Sequence, residues 1–184
     1  NDHLLITKAA KQARSRENHL TRFIVYNHPL FSSFRQRGKI IDLNELELFP
    51  PSKKGEPVSM EGGDVMILNK DYLLIGISER TNTHAFHSLK KYLFEHKIVS
   101  HVVLFNIPIE RSFMHIDTII TQIDEKRFVG YKPIIQDGGS SFVQVHSITG
   151  ETQYYATLKE FLWQEISTEI DFVWVGKGET PSQE

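Results

Sequence analysis

Apolar positions along the chain fall into short runs set apart by polar stretches, and two periods alternate. Runs with strand character are HLLITKAA (3–10), DVMIL (64–68), YLLIGIS (72–78), HVVLFNI (101–107), DTIITQI (117–123) and DFVWVG (171–176). Between them, Ala85, Phe86, Leu89, Leu93 and Phe94 recur at helical spacing behind Thr81 or Asn82, either of which can cap a helix. Strands alternating with helices predict an α/β fold.

The polar connection NKD between DVMIL and YLLIGIS suits a tight antiparallel turn, so the local order reads strand, strand, helix, strand. A similar order follows: DTIITQI, the turn DEKR, FVGYKPII, an insertion rich in Gly and Ser, a helix around TLKEFLWQEIS, then DFVWV. Asp64 and Asp117 are 117 − 64 = 53 residues apart, a spacing that suits a repeated architectural unit. A third, shorter copy is predicted at the start, from HLLITKAA, a helix running from Ser15 towards Pro29, and a strand at KIIDL. The modules are therefore set at 1–47, 58–110 and 111–178 within one domain spanning 1–184. LFPPSKKGEP (48–57) is expected to be an exposed connector.

Composition narrows the function classes. With 184 residues, 40% hydrophobic and 24% charged, this is one globular domain or one large piece of a bigger protein. Lys+Arg number 21 against Asp+Glu 23, a net charge of −2, which gives no general attraction for nucleic acid or anionic lipid. No apolar run approaches the roughly 18–20 residues that cross a bilayer. There is no cysteine, which excludes disulfides and thiolate metal sites within these residues and suits a cytoplasmic setting. The start at Asn1-Asp2-His3, without Met or a leader pattern, points to processing or a fragment.

Candidate chemistry gathers at three short motifs. In SFMHIDTIITQID, His115 and Asp117 stand two apart at the head of a predicted strand, so both face one small volume. Spacing alone favours the plainer reading, a solvated strand end. In MEGGDV, Glu61 and Asp64 flank two glycines, where a bulge could turn both carboxylates to one side. A plain turn with exposed acids is the alternative. In GISERT, Arg80 follows a strand, and upstream Arg14 lies in KQARSRENHL; each offers a planar fork for a carboxylate, or is a surface residue. His84 and His87, three apart, read as a solvated helix face. His115, Asp117 and His146 form a rival set, two histidines and one carboxylate, of the kind that holds iron in oxygenases.

Taken in order, MEGGDV, GISERT and MHIDT resemble the arginine deiminases of the guanidine-modifying, pentein-fold superfamily, and RENHLTRFIVYNHPLF (16–31) resembles their preceding segment. The resemblance implies a five-bladed α/β propeller of strand-strand-helix-strand modules, of which about three are present here. It implies His115 as general acid/base, Asp117 holding a guanidinium, Glu61 as the acid beside them, and Asp64 supporting the pocket. Arg14 and Arg80 would take the substrate's α-carboxylate, placing acids at one end of the site and arginines at the other. The implied partner is L-arginine or a related guanidine, without cofactor or metal, and the implied reaction yields L-citrulline and ammonia.

That family attacks the guanidinium carbon with a cysteine thiolate from a Gly-rich loop near its C-terminus, and a further guanidinium-binding Asp lies upstream. Neither is present, so the chain resembles the middle of such an enzyme and is expected to be inactive alone. A cysteine-free guanidine-binding module is one alternative reading. A related amidinotransferase or dimethylarginine hydrolase is another. Strand edges left open by absent modules would favour self-association.

Overall fold

The computed structural model describes residues 3–110, 112–138 and 141–175, and within it the run HLLITKAA contracts to β1 (Leu4–Ile6). Helix α1 (Ser15–Asn27) follows and stops at His28, whose extended backbone precedes Pro29. Proline disfavours helical backbone in the residue before it, which sets that boundary. After α2 (Ser32–Gln36), β2 (Ile40–Asp42) pairs in parallel with β1, Leu4 opposite Ile40 and Ile6 opposite Asp42. A parallel pair needs a crossover, and α1 with α2 supplies it.

These elements belong to one of two compact units, made of the chain up to Gly62 together with Arg80–Lys91. Ile6, Val25, Ile41, Leu43, Phe49, Val58 and Met60 are its buried apolar side chains, with Ala85, Phe86 and Leu89. Asp42 is buried as well, and its charge is matched by Arg22 Nε at 2.5 Å. The stretch 48–57 is mostly exposed as expected, except that Phe49 is fully buried and anchors it. Lys8 and Met60 exchange backbone hydrogen bonds of 2.9 Å in both directions, which fixes the strand-like approach to Glu61.

The second unit comprises Gly63–Glu79 and the chain from Tyr92. β3 (Val65–Ile67) and β4 (Tyr72–Ile77) are antiparallel, joined through a turn in which Asn69 Oδ1 accepts from the backbone N–H groups of Asp71 and Tyr72. Helix α3 (Thr83–Glu95) begins where Asn82 Oδ1 accepts from Ala85 N–H at 2.8 Å, so Asn82 is the cap. It closes with Lys97 in the left-handed region (φ 51°) and Ile98 N–H bonded back to Leu93 C=O. β5 (His101–Asn106) then lies parallel to β4.

The same order recurs in β6 (Ile120–Gln122) antiparallel to β7 (Arg127–Tyr131), which is parallel to β10 (Asp171–Val175). FVGYKPII is not one strand, because Pro133 cannot donate to a ladder and instead opens the short helix α4 (Lys132–Ile135). Beyond the Gly- and Ser-rich insertion the chain forms two further strands. β8 (Phe142–Ser147) and β9 (Thr152–Tyr155) form a hairpin, and β8 joins the edge of β5 antiparallel. α5 (Leu158–Phe161) continues into a π-helical turn, Leu162–Ile166.

Among the described residues of this unit, strand order is β3-β4-β5-β8-β9 in one sheet and β10-β7-β6 in the other, with no closed barrel. Leu74, Val103, Phe105, Ile116, Ile120, Phe128, Phe161 and their neighbours form a shared apolar core. Burying one such side chain contributes about 1.5–3 kcal/mol, which makes this core the main stabilising element of the unit.

Candidate active site

Each of the two units carries one cluster of the motif residues singled out above. In the second unit it centres on Asp64, which is fully buried at the end of the 3-10 turn Gly62–Asp64. Its Oδ1 accepts from the backbone N–H of Ile116 at 3.1 Å. Its Oδ2 accepts from the Ser78 hydroxyl at 2.7 Å and from His115 Nδ1 at 3.1 Å. A carboxylate only accepts, so the Nδ1 position carries the proton of this hydrogen bond.

His115 and Asp117 are not on a strand, contrary to the sequence pattern. His115 is extended (φ −149°, ψ 162°) and precedes a 3-10 turn over Ile116–Thr118, and the strand begins only at Ile120. Thr118 ends the strand pattern by bonding back to His115 C=O through both its hydroxyl (2.6 Å) and its N–H (3.1 Å). Short polar side chains compete in this way with a ladder. Asp117 is exposed, and the backbone of Gly63 lies directly against it. A Cβ at position 63 would stand 2.6 Å from Asp117 Oδ2 and 3.1 Å from His115 Cβ.

Gly63 is therefore a close-approach device, whereas a Cβ at Gly62 would meet only Thr7 Oγ1 at 3.9 Å, and the bulge expected there is a 3-10 turn instead. Gly76 has the same use one strand over: a Cβ there would stand 2.1 Å from Ile116 Cγ2 and 3.1 Å from Asp64 Oδ1.

In the first unit the cluster centres on Glu61, also buried. Its Oε2 takes Arg14 Nη1 at 2.5 Å and Arg80 Nη1 at 3.5 Å, while its N–H donates to the Thr81 hydroxyl at 3.1 Å. Arg14 also bonds Glu17, and that hydrogen bond, followed by the charge of Glu61, pushes its pKa further up. Ser59 Oγ donates to Arg80 C=O at 2.6 Å and holds the loop that presents Arg80. Both arginines thus meet the Glu61 carboxylate in this structure. The expected separation of acids from arginines does not hold for Glu61, because a buried carboxylate needs paired charge and these two guanidinium groups supply it.

Comparison with known proteins identifies the family. The sequence model described as arginine deiminase matches residues 1–184. The chain belongs to the arginine deiminase family. Among curated members, the arginine deiminase of Listeria monocytogenes serotype 4b is 31% identical over 176 residues, covering 91% of this chain and 39% of the relative. Arginine deiminase 1 of Staphylococcus epidermidis is 29% identical over 184 residues, covering 96% and 42%. The chain thus spans about two fifths of the length of the curated relatives it matches.

Among solved structures, the DDAH of Pseudomonas aeruginosa in complex with citrulline aligns at a TM-score of 0.56 with 15% identity, over 98% of this chain and 51% of that one. A dimethylarginine dimethylaminohydrolase bearing an S-methyl-L-thiocitrulline adduct aligns at 0.53, again with 15% identity, over 96% and 50%. At that identity the likeness establishes the fold, which is the α/β pentein fold of the superfamily to which the arginine deiminases belong.

Other candidates fare differently. His84 Nε2 lies 3.0 Å from Pro50 C=O, and His87 packs edge-on against Phe86. Among the described residues no group of three or more His, Asp or Glu side chains converges as a metal set, so His115, Asp117 and His146 do not form the iron site considered above. No described helix is long and apolar enough to cross a membrane. Sequence reasoning missed Ser78 and Thr81, although both lie in the GISERT motif it singled out. Their signal was position: Ser78 is two residues beyond Gly76, on the same side of β4.

Proposed function

We propose that the chain supplies the proton-handling and charge-pairing groups of a guanidine hydrolase that converts L-arginine and water to L-citrulline and ammonia. The observation that carries this reading is the His115–Asp64 pair, a histidine oriented by a buried carboxylate, within a chain of this family. In this reading a cysteine thiolate, which must come from outside these 184 residues, attacks the guanidinium carbon. His115 takes the proton of that thiol at Nε2, passes it to the departing ammonia and then takes one from the water that displaces the sulfur. Asp117 holds the guanidinium, Glu61 acts as the acid, and Asp64 supports His115. Arg14 and Arg80 bind the α-carboxylate, exchanging or sharing their hold on Glu61 as they do so. The module boundaries 1–47, 58–110 and 111–178, as three parts of a five-module ring, a cytoplasmic location and the absence of cofactor complete the reading.

Citrulline formation from L-arginine by the intact protein tests it. Turnover is expected from the intact protein and none from the 184-residue polypeptide, and His115→Gln should lower kcat of the intact protein by about 10²–10⁴-fold. Sustained turnover by the cysteine-free polypeptide would remove the thiolate route. Turnover of dimethylarginine but not arginine by the intact protein would move the substrate assignment to the related hydrolases.

The absence of cysteine favours one second reading, a module that binds arginine without converting it. Calorimetric titration of the polypeptide with arginine separates the two, since a dedicated binder gives clear saturable heat. A further expectation concerns assembly. Ile67 on β3, Ile123 beside β6, and Val173 and Val175 on β10 are large exposed apolar residues at sheet edges among the described residues. The 184-residue polypeptide should therefore self-associate in light scattering, and a monodisperse monomer at about 100 μM would count against it.

A further inference from the structure

We infer that Ser78 is a positioning residue for His115, acting through Asp64, an inference that rests on the proposed role of His115 in guanidine hydrolysis. Three observations carry it. Ser78 Oγ donates at 2.7 Å to Asp64 Oδ2, the same oxygen that accepts His115 Nδ1–H at 3.1 Å. The other oxygen, Oδ1, accepts from Ile116 N–H at 3.1 Å, in the backbone of the turn that presents His115 and Asp117. Finally, Ser78 directly follows the last residue of β4, a strand paired with both β3 and β5, so its hydroxyl is delivered from a rigid element.

The carboxylate of Asp64 is thereby held at both oxygens, with Ile116 N–H at one end and the Ser78 hydroxyl at the other. Rotation about the Cβ–Cγ bond would break both bonds at once, so Oδ2 stays aimed at Nδ1. A fixed Oδ2 keeps the imidazole in one ring orientation and one tautomer, with the proton on Nδ1. Gly76, two residues earlier on the same side of β4, leaves the space that lets Asp64 Oδ1 come this close, since a Cβ there would lie 3.1 Å from it. The strand end thus provides a gap and a donor in succession. Without the hydroxyl, Asp64 keeps its charge and its bond to Ile116, but Oδ2 loses the contact that sets its direction.

The test uses the intact protein with Ser78→Ala and Ser78→Thr, read in two ways. Long-range ¹H–¹⁵N correlation spectra of His115, recorded without substrate, report which ring nitrogen carries the proton. Steady-state kinetics with L-arginine report kcat and KM separately. Ser78→Ala is expected to give mixed tautomer signals and a kcat lower by about tenfold, the scale of one charge-assisted hydrogen bond, with KM within about twofold. Ser78→Thr, which keeps the hydroxyl, should restore the single tautomer and bring kcat back to within about threefold.

A Ser78→Ala protein with the wild-type tautomer pattern, or a Ser78→Thr protein as defective as Ser78→Ala, would overturn the inference. If the wild-type protein turned over neither arginine nor a methylated arginine, the functional reading would fall, and the spectra would still decide the role of Ser78.

Discussion

Asp64→Asn in the intact protein is expected to lower turnover of arginine by roughly 10³–10⁴-fold while leaving the fold standing, the scale seen when an orienting carboxylate behind a catalytic histidine becomes an amide. The substitution keeps the shape of the side chain and changes only which atoms accept. If the amide oxygen stays on Ile116 N–H, the NH₂ group takes the place of Oδ2, where it faces the Ser78 hydroxyl and His115 Nδ1. Ser78 can adapt, because a hydroxyl also accepts. His115 can adapt only by accepting at Nδ1, which moves its proton to Nε2 and closes the nitrogen that must take a proton from the attacking water.

The stability cost should be small, about 1 kcal/mol, since the amide leaves no buried donor of the backbone without a partner. Citrulline release and a thermal melt on the same preparation check both halves. Activity within tenfold of wild type would show that Asp64 does not act through the tautomer of His115.

Gly76→Ala is expected to cause the largest loss of stability of any single-methyl change in the second unit, about 3 kcal/mol, or a fall in melting temperature of roughly 6–12 °C. The added Cβ would come within 2.1 Å of Ile116 Cγ2, and neither partner has room to move. Gly76 is inside β4, paired opposite Phe105 of β5, while Ile116 is fully buried in the apolar core. Relief by displacement of Ile116 would shift the turn that carries His115 and Asp117, so activity should fall with stability. The double variant Gly76→Ala/Ile116→Ala should recover part of the loss, because the two side chains share one volume and their effects are coupled. Urea denaturation of the four proteins in that cycle measures the coupling. A Gly76→Ala protein within about 1 °C of wild type would mean that the strand gives way more easily than this packing allows.

Much of the fold was legible because its signals are local. The Asn69 turn, the Asn82 cap, the periodic apolar face of α3 and the stop before Pro29 each depend on side chains a few residues apart, and each stands where the pattern put it. The misses share a cause as well. FVGYKPII looked like one strand because its apolar character is continuous, yet Pro133 removes a ladder donor and starts α4. The β8–β9 hairpin was passed over because the Gly- and Ser-rich residues before it dominate the segment. The weaker alternation of Val143, Val145 and Tyr155 carried the strand signal.

The site divides in the same way. The residue types at the three motifs, with their order along the chain, were enough to single out Glu61, Asp64, Arg80, His115 and Asp117 and to point to guanidine chemistry. Their contacts were not legible. A strand pattern put His115 and Asp117 side by side on one face, whereas Thr118 folds that stretch into a turn. Two arginines expected away from the acids meet Glu61 instead, since a buried carboxylate must be matched by whatever cation the fold brings to it.

By itself, then, the amino-acid sequence determined the alternation of strands and helices, the absence of any thiol, and the family to which the chain belongs, because these depend on composition, short-range periodicity and motif order. Only the tertiary structure decided that Asp64 Oδ2 takes both His115 Nδ1 and the Ser78 hydroxyl, and that Gly63 and Gly76 are spaces for neighbouring groups. Those facts join residues 12 to 54 positions apart in the chain, and contacts at that separation are set by how sheets and turns pack, which no local pattern encodes.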